Sequence, residues 1–496
     1  MTVRSRFVVA ASLAGLLALA CSSTDEGIKS SGGSGGSDGS GGSSGASGSG
    51  GSSGSGGASG TSGTGGTTGG SGGSTGGSAG AGGSTGGAGG TAGAAGTAGS
   101  AGTAGTAGSA GAAGTAGAGG SAGSAGAGGS TGGSAGTAGA GGSAGTGGTG
   151  GGPGDTVGCP GTKLYTVPED TGARGPWPVG AKTVTVQGLA TEVWYPATLG
   201  SEAGKEKIQY DIRKWLPVSE QQKIPDVDNP WQPCDCYRDL PLDTSHGPYP
   251  VVIFIHGTAA WRAQSAQIVA HWASRGFVVV SSDHPGLFLA DYLDFRLGAN
   301  LPADTDKLIA DLKTTAGDLQ FLAGHIDMTH LGMSGHSAGG GGISGYGGQA
   351  MVLIPLASSG VQAGAALKST LVMGGQVDSV SNYTQQQNGF NSSPAPKRLV
   401  GIANAGHLNF SDICSVGKDK GGLLAIAQRY MVKNANLAGF LFDCRDTQLP
   451  PEQGWPLINR ATTAAFESVL MCSTTAVKSF EAVKTDANVG EYREML

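Results

Sequence analysis

From residue 31 to residue 152 the chain is written almost wholly in Gly, Ser, Ala and Thr, with Asp38 as its only charge. Such a segment has no large apolar side chains whose burial could offset the roughly 1–2 kcal/mol per residue lost on ordering a backbone. It reads as a disordered tether, so any folded domain must lie elsewhere. Repeats such as GTAGTAGSAG and GGSTGGSAG lack the proline and the strict three-residue glycine period of a collagen rod. A random coil of this size would span on the order of 60 Å end to end.

Ahead of the tether stands MTVRSRFVVAASLAGLLALAC, with Arg4 and Arg6 before an apolar run over residues 7–20. That is the layout of a secretory signal peptide. The run is shorter than the roughly 20 residues a spanning helix needs. Its end, Ala18-Leu19-Ala20-Cys21, resembles the lipobox of bacterial lipoproteins, which implies lipidation of Cys21; the alternative is ordinary cleavage near Ala20. The expected organisation is a signal segment over 1–21, a linker over 22–153 and a folded domain over 154–496. The expected location is exported, at a bacterial cell surface or periplasm through the anchor, or else secreted.

The whole net charge of −6 belongs to the domain, because Arg4, Arg6 and Lys29 balance Asp25, Glu26 and Asp38 before it. A mildly acidic domain without a Lys/Arg cluster gives no footprint for nucleic acid. Besides Cys21 there are six cysteines, at 159, 234, 236, 414, 444 and 472. An even number in an exported chain reads as disulfides, with the pairing left open. Cys234-Asp-Cys236 resembles half of a metal site, yet no second cysteine pair or histidine pair completes it, so neither metal nor cofactor is expected.

Within the domain, short β-branched runs alternate with longer helical patterns, which argues for a mostly parallel sheet flanked by crossover helices. Strands are expected at 183–186, 191–195, 250–255, 277–281, 330–333, 351–356, 369–373 and 397–403. Helices are expected at 263–274, 304–323, 339–348, 423–432 and 462–472. PVVIFI and FVVVS do not alternate, as befits strands covered on both faces.

The stretch GMSGHSAGGGG, residues 332–342, then reads as strand, sharp turn and helix. Gly335-His336-Ser337-Ala338-Gly339 fits the GxSxG bend of serine hydrolases, where the serine sits on a strained turn above a sheet. Glycine is common enough here, 98 of 496 residues, that this motif alone would carry little. Its surroundings carry more. Upstream, Ile255-His256-Gly257-Thr258 closes a strand with an HG turn. Downstream, LVMGGQVDS brings Asp378 and LVGIANAGHLNF brings His407, each after a strand. Ser, Asp, His is the chain order of an α/β-hydrolase triad.

A serine hydroxyl needs a base within reach and a third group to orient that base. Ser337 is the candidate nucleophile, His407 the general base and then acid, and Asp378 the carboxylate fixing the His407 tautomer. The backbone N–H groups of Thr258 and Ala338 are the candidate oxyanion hole, a device worth about 3–4 kcal/mol per donor in comparable sites. The plain alternatives are a helix N-cap for Ser337, a turn residue for Asp378 and a surface loop residue for His407. Asp412 reads as a cap on a local turn, His336 as pointing away from the serine, and His284 as structural. Trp261 either lines a substrate pocket or packs beneath a helix.

The run PYPVVIFIHGTAAWRAQSAQIVAHWASRGFVVVSSDHPG, with LGMSGHSAGGG after it, resembles the dienelactone hydrolase-related branch of the α/β-hydrolases. That branch includes chlorophyllases, platelet-activating factor acetylhydrolases and cutinase-type polyesterases. ATEVWYPA and YRDLPL are similar to acetylhydrolase segments, while SAGGGG is similar to the polyesterases, which often carry a bulkier residue where Ala338 stands. The resemblance spans about residues 182–470 and implies an α/β-hydrolase fold. It implies a cofactor-free carboxylic ester hydrolase acting through an acyl-enzyme on a small-molecule, lipid or polyester ester. An acyltransferase of the same fold and a non-catalytic surface binding protein are the alternatives. Residues 385–396, longer and more polar than a bare connection, read as a lid or a solvated loop.

Overall fold

PVVIFI and FVVVS, the two runs without alternation, become strands buried at every position, Tyr249–Ile255 and Val278–Ser282. Apolar side chains on both faces oblige both faces to be covered, and helices do that. The computed structural model describes residues 153–496; the signal segment, Cys21 and the tether up to residue 152 lie outside the described residues.

Ten strands form the main sheet. In chain order they are β1 (Val179–Val186), β2 (Leu189–Pro196), β3 (Tyr237–Arg238), β4 (Tyr249–Ile255), β5 (Val278–Ser282), β6 (Ile326–His336), β7 (Val352–Leu356), β8 (Ser369–Gly375), β9 (Lys397–Ile402) and β10 (Val489–Met495). Their spatial order is β10-β9-β8-β7-β6-β4-β5-β2-β1-β3. From β5 across to β9 every pair is parallel. The β1–β2, β2–β5 and β9–β10 pairs are antiparallel, so the sheet is mixed with a parallel centre. Parallel strands end on one edge, where open α/β sheets bind ligands. The turns after β4, β6, β8 and β9, which carry Thr258, Ser337, Asp378 and His407, all leave that edge.

The main helices are α1 (Ala266–Ser274), α2 (Leu301–Thr314), α3 (Ala338–Gly342), α4 (Tyr383–Ser392), α5 (Gly422–Arg429) and α6 (Pro451–Leu470). α1 and α6 pack together: Trp272 Nε1 donates to Thr462 Oγ1 at 2.9 Å, and the Trp272 and Phe466 rings meet edge to face at 5.2 Å. Phe466 and Leu470 reach the sheet over Gly332, where a Cβ would stand 2.7 Å from the Phe466 ring. Glycine in β6 is what lets α6 approach this closely.

Several elements depart from the sequence reading. α6 begins at Pro451 rather than near residue 462, because Pro451 sits in the first turn where its missing N–H is no loss. Pro456 does remove an interior bond, offset by the buried face of Leu457, Ile458, Ala461, Ala464 and Ala465. The expected helix at 304–323 divides at Thr315, which turns left-handed at φ 49°; Leu319 and Leu322 stay buried in a 3-10 segment and so preserved the periodic pattern. α3 stops after five residues, four of them glycine, in keeping with their poor helix propensity. Residues 383–392, within the stretch expected as a lid or loop, form α4, capped by Asn382 through Thr384 N at 2.9 Å. Gln386 of that helix is fully buried against Gly374, so α4 is a crossover helix between β8 and β9. The edge strand β10 is not among the expected strands because its sequence, VGEYREM, carries three charged residues in seven and no apolar run.

The cysteines pair as Cys159–Cys472, Cys234–Cys236 and Cys414–Cys444. Cys234 and Cys236, which looked like half of a metal site, are thus spent on each other.

Candidate active site

Ser337 holds φ 56° and ψ −119°, a region that side chains other than glycine rarely occupy. Its surroundings enforce the bend. A Cβ at Gly335 would lie 2.4 Å from Gly339 C and O, and one at Gly339 would lie 2.1 Å from Ile255 O. Both glycines therefore let β4, β6 and α3 converge where any side chain would collide. The bend is pinned by Ser337 N, which donates to Leu356 O at 2.9 Å. Ser337 heads α3, yet its side chain makes no capping bond, and it is half-buried rather than enclosed.

The HG turn meets this bend directly. A Cβ at Gly257 would stand 3.3 Å from Ser337 Cβ and 2.9 Å from His336 Nδ1. Gly257 N is engaged by Gln264 Oε1 at 2.9 Å, and Ala259 N donates to Leu287 O at 2.9 Å. The Thr258 and Ala338 amides, by contrast, have no acceptor among the described residues. Two unpaired donors, one next after the strained serine and one in the turn that touches it, are suited to an oxyanion.

On the other side of the site His407 Nδ1 meets Asp378 Oδ2 at 2.8 Å, with both side chains buried. Asp378 Oδ1 accepts from Val380 N at 2.8 Å and Ser381 N at 2.7 Å. One oxygen thus organises its own turn while the other orients the imidazole. With Nδ1 donating to the carboxylate, His407 Nε2 keeps its lone pair. No hydrogen bond joins the Ser337 hydroxyl to His407 among the described residues; such contacts commonly tighten only when substrate is bound.

His336 does not simply turn away. Its Nε2 donates to His407 O at 3.0 Å, and the two rings lie 4.7 Å apart between centroids. Burial, then the neighbouring His407, pushes His336 down to about 3, so it stays neutral and works as a prop. His256 is also pushed to about 3, chiefly by burial and next by His284. It donates from Nδ1 to Gly257 O at 2.8 Å and accepts at Nε2 from His284 N at 3.2 Å, which fixes the HG turn.

Asp412 differs from expectation. Rather than capping a local turn, its Oδ2 accepts from Gln232 Nε2 at 2.8 Å, while its backbone N donates to Gln264 O at 2.8 Å. Burial pushes it up to about 8. It ties the segment after His407 to the residue that holds Gly257. Gln232 Oε1 in turn accepts from Trp261 Nε1 at 2.9 Å. Trp261 is almost fully buried, stacks on Trp215 at 5.7 Å, and borders a small apolar cavity with Ile212, Leu216 and Leu293. Its packing reading is observed, and the cavity it borders is lined by neither Ser337 nor His407.

Three supporting residues are not legible in the sequence: Gln264, His336 as a prop and Asp443. Asp443 Oδ2 accepts from His407 N and from Ser379 N, each at 3.0 Å. Nothing local marks Gln264 or Asp443, since each acts on a segment remote or separately folded from its own. A cavity of about 610 Å³ borders the His407 segment through Gly406, Asn409, Asp443 and Gln448, away from Ser337.

Residues 171–286 match the family model described as platelet-activating factor acetylhydrolase, isoform II. The chain resembles this branch of the α/β-hydrolases. The matched span covers β1 to β5 and the HG turn and ends before Ser337, so it speaks to the fold and to hydrolase activity on esters at a coarse level. No curated protein matches the chain.

Proposed function

We propose that this hydrolase-like chain is a serine carboxylic ester hydrolase in which Ser337, His407 and Asp378 form the triad and the Thr258 and Ala338 amides hold the oxyanion. The observation that carries the reading is the buried 2.8 Å contact between His407 Nδ1 and Asp378, at the same sheet edge as the strained Ser337.

In the first half-reaction Ser337 Oγ forms a bond to the ester carbonyl carbon while its proton passes to His407 Nε2. The carbonyl oxygen takes the negative charge between the two amides. As the intermediate collapses, the bond from carbon to the alcohol oxygen breaks, and His407 returns its proton to that oxygen. Water then attacks the acyl-enzyme, gives its proton to His407, and Ser337 leaves with the proton His407 hands back. Asp378 takes no proton; it orients the imidazole and balances its transient charge.

Small-molecule, lipid or polyester esters are the substrate classes proposed, and export is proposed with them. Three cysteine pairs support an oxidising compartment. Labelling by a fluorophosphonate together with hydrolysis of chromogenic esters of increasing acyl length tests the reading. Labelling that is lost in Ser337→Ala supports it. A folded protein that neither labels nor hydrolyses any ester removes it.

A further inference from the structure

Asp378 and His407 come from different strands, separated by 29 residues, and a triad requires them to stay within hydrogen-bond reach through every turnover. Backbone contacts bring the two segments together, with Gln376 N on Ile402 O at 3.0 Å and Val377 N on Ala405 O at 3.1 Å. Those bonds stop short of the two functional residues. At that point a third segment intervenes. Asp443 lies 36 residues beyond His407, and its Oδ2 accepts from Ser379 N, next to Asp378, and from His407 N itself.

Its other oxygen is held from outside. Asp443 Oδ1 accepts from Gln448 Nε2 at 3.0 Å and from Arg445 Nη2 at 2.8 Å. The adjacent Cys444 is bonded to Cys414, which anchors the segment to the stretch just after His407. Four donors converge on one carboxyl group, and only 4% of the residue is exposed. A carboxylate suits this place because it offers lone pairs on both oxygens and no N–H. An amide there would set a donor against donors on one side or the other.

We propose that Asp443 is a positioning residue for the reaction, clamping the acid turn and the base turn into one unit so that His407 stays aligned with Asp378. The proposal rests on the triad reading above. Burial alone would push the Asp443 carboxyl up, but the hydrogen bonds from His407 N and Ser379 N outweigh it and hold the group at about 2. It is thus a charged acceptor at any working pH, and its grip on the two amides is charge-assisted.

The test uses the full chain and a chromogenic short-chain ester. Asp443→Ala should lower kcat by about 10- to 100-fold, as expected when a catalytic group is displaced by about an ångström, with KM within about threefold of wild type. Asp443→Asn, the isosteric change, should fall between wild type and Asp443→Ala, and Gln448→Ala should lose a few-fold by loosening Oδ1. The decisive measurement is the cycle with Asp378→Ala. If Asp443 acts through the Asp378–His407 pair, removing it in the Asp378→Ala background should cost little more, whereas a residue serving only stability would cost the same in either background. Should Asp443→Ala not fold, the same cycle run with Asp443→Asn and with Gln448→Ala decides between the two. Folded variants with wild-type kcat, or fully additive losses, would overturn the proposal while Ser337→Ala remained inactive. An active Ser337→Ala would instead overturn the triad reading beneath it.

Discussion

The two halves of the candidate site are built by opposite means. The nucleophile side is made of absences: Gly257, Gly335 and Gly339 have no Cβ, and each omission admits a neighbouring backbone or ring. The acid and base side is made of side chains: Asp378, His407, His336 and Asp443 are buried polar groups linked by hydrogen bonds at 2.8–3.0 Å. Steric crowding is short-ranged and leaves its mark within a few residues of sequence. Hydrogen bonds between separate segments impose no spacing, so the second half can be assembled from residues far apart.

This contrast can be broken experimentally, and the largest effect should come from the nucleophile. Ser337→Ala deletes the attacking oxygen, and turnover should fall by at least about a thousandfold, toward the roughly million-fold loss of a well-studied triad. Folding should be unaffected by circular dichroism. A folded variant retaining more than about a thousandth of the rate would remove Ser337 from its role.

Next is Asp378→Asn, which keeps the shape but favours the wrong imidazole tautomer. The loss should be large, up to about ten-thousand-fold. His336 and His256, held near 3 by burial, stay neutral at working pH, so His336→Gln removes a prop and no charge, and kcat should drop only a few-fold. A loss as large as that of Asp378→Asn would show that His336 does more than prop His407.

A smaller effect is expected at Gln264, which touches the HG turn only through Gly257 N. Removing an oxyanion donor itself costs about a hundred- to a thousandfold. Gln264→Ala merely frees the turn that carries one, so kcat should drop about tenfold with KM little changed. A loss equal to that of Ser337→Ala would show that Gln264 does more than hold the HG turn.

Asp412→Asn should be the mildest. Asp412 is pushed up to about 8 by burial, so it binds its proton more tightly folded than unfolded, where a carboxyl titrates near 4. The sign follows: the wild-type domain loses stability as pH rises from about 4 to about 8, and is level above. Asp412→Asn should keep activity within about threefold and flatten that decline in melting temperature. Greater damage from Asp412→Asn than from Asp378→Asn would move the acid to residue 412.

The glycine side was the more legible in sequence. GMSGHSAGGGG and IHGT declare their bends because a glycine cluster between an apolar run and a helix has few other uses. The parallel centre of the sheet was readable for the same local reason, since PVVIFI and FVVVS have no polar face. The polar edge strand Val489–Met495 was not, because an edge needs no apolar side. Nor was α4, whose YTQQQNGFNS carries little apolar periodicity and is held instead by Gln386 and Phe390. Asp378 and His407 could be nominated by their places after strands, but the 2.8 Å between them could not.

By itself, then, the sequence determined where a core can form, which strands are covered on both faces, and where the backbone must bend for want of side chains. These follow from hydrophobicity and Cβ sterics, which act over a few residues. Only the tertiary structure decided which cysteines pair, that Asp412 serves the HG turn, and that Asp443 receives the amides beside Asp378 and at His407. Those choices depend on three-dimensional proximity between segments whose separation along the chain carries no energy of its own.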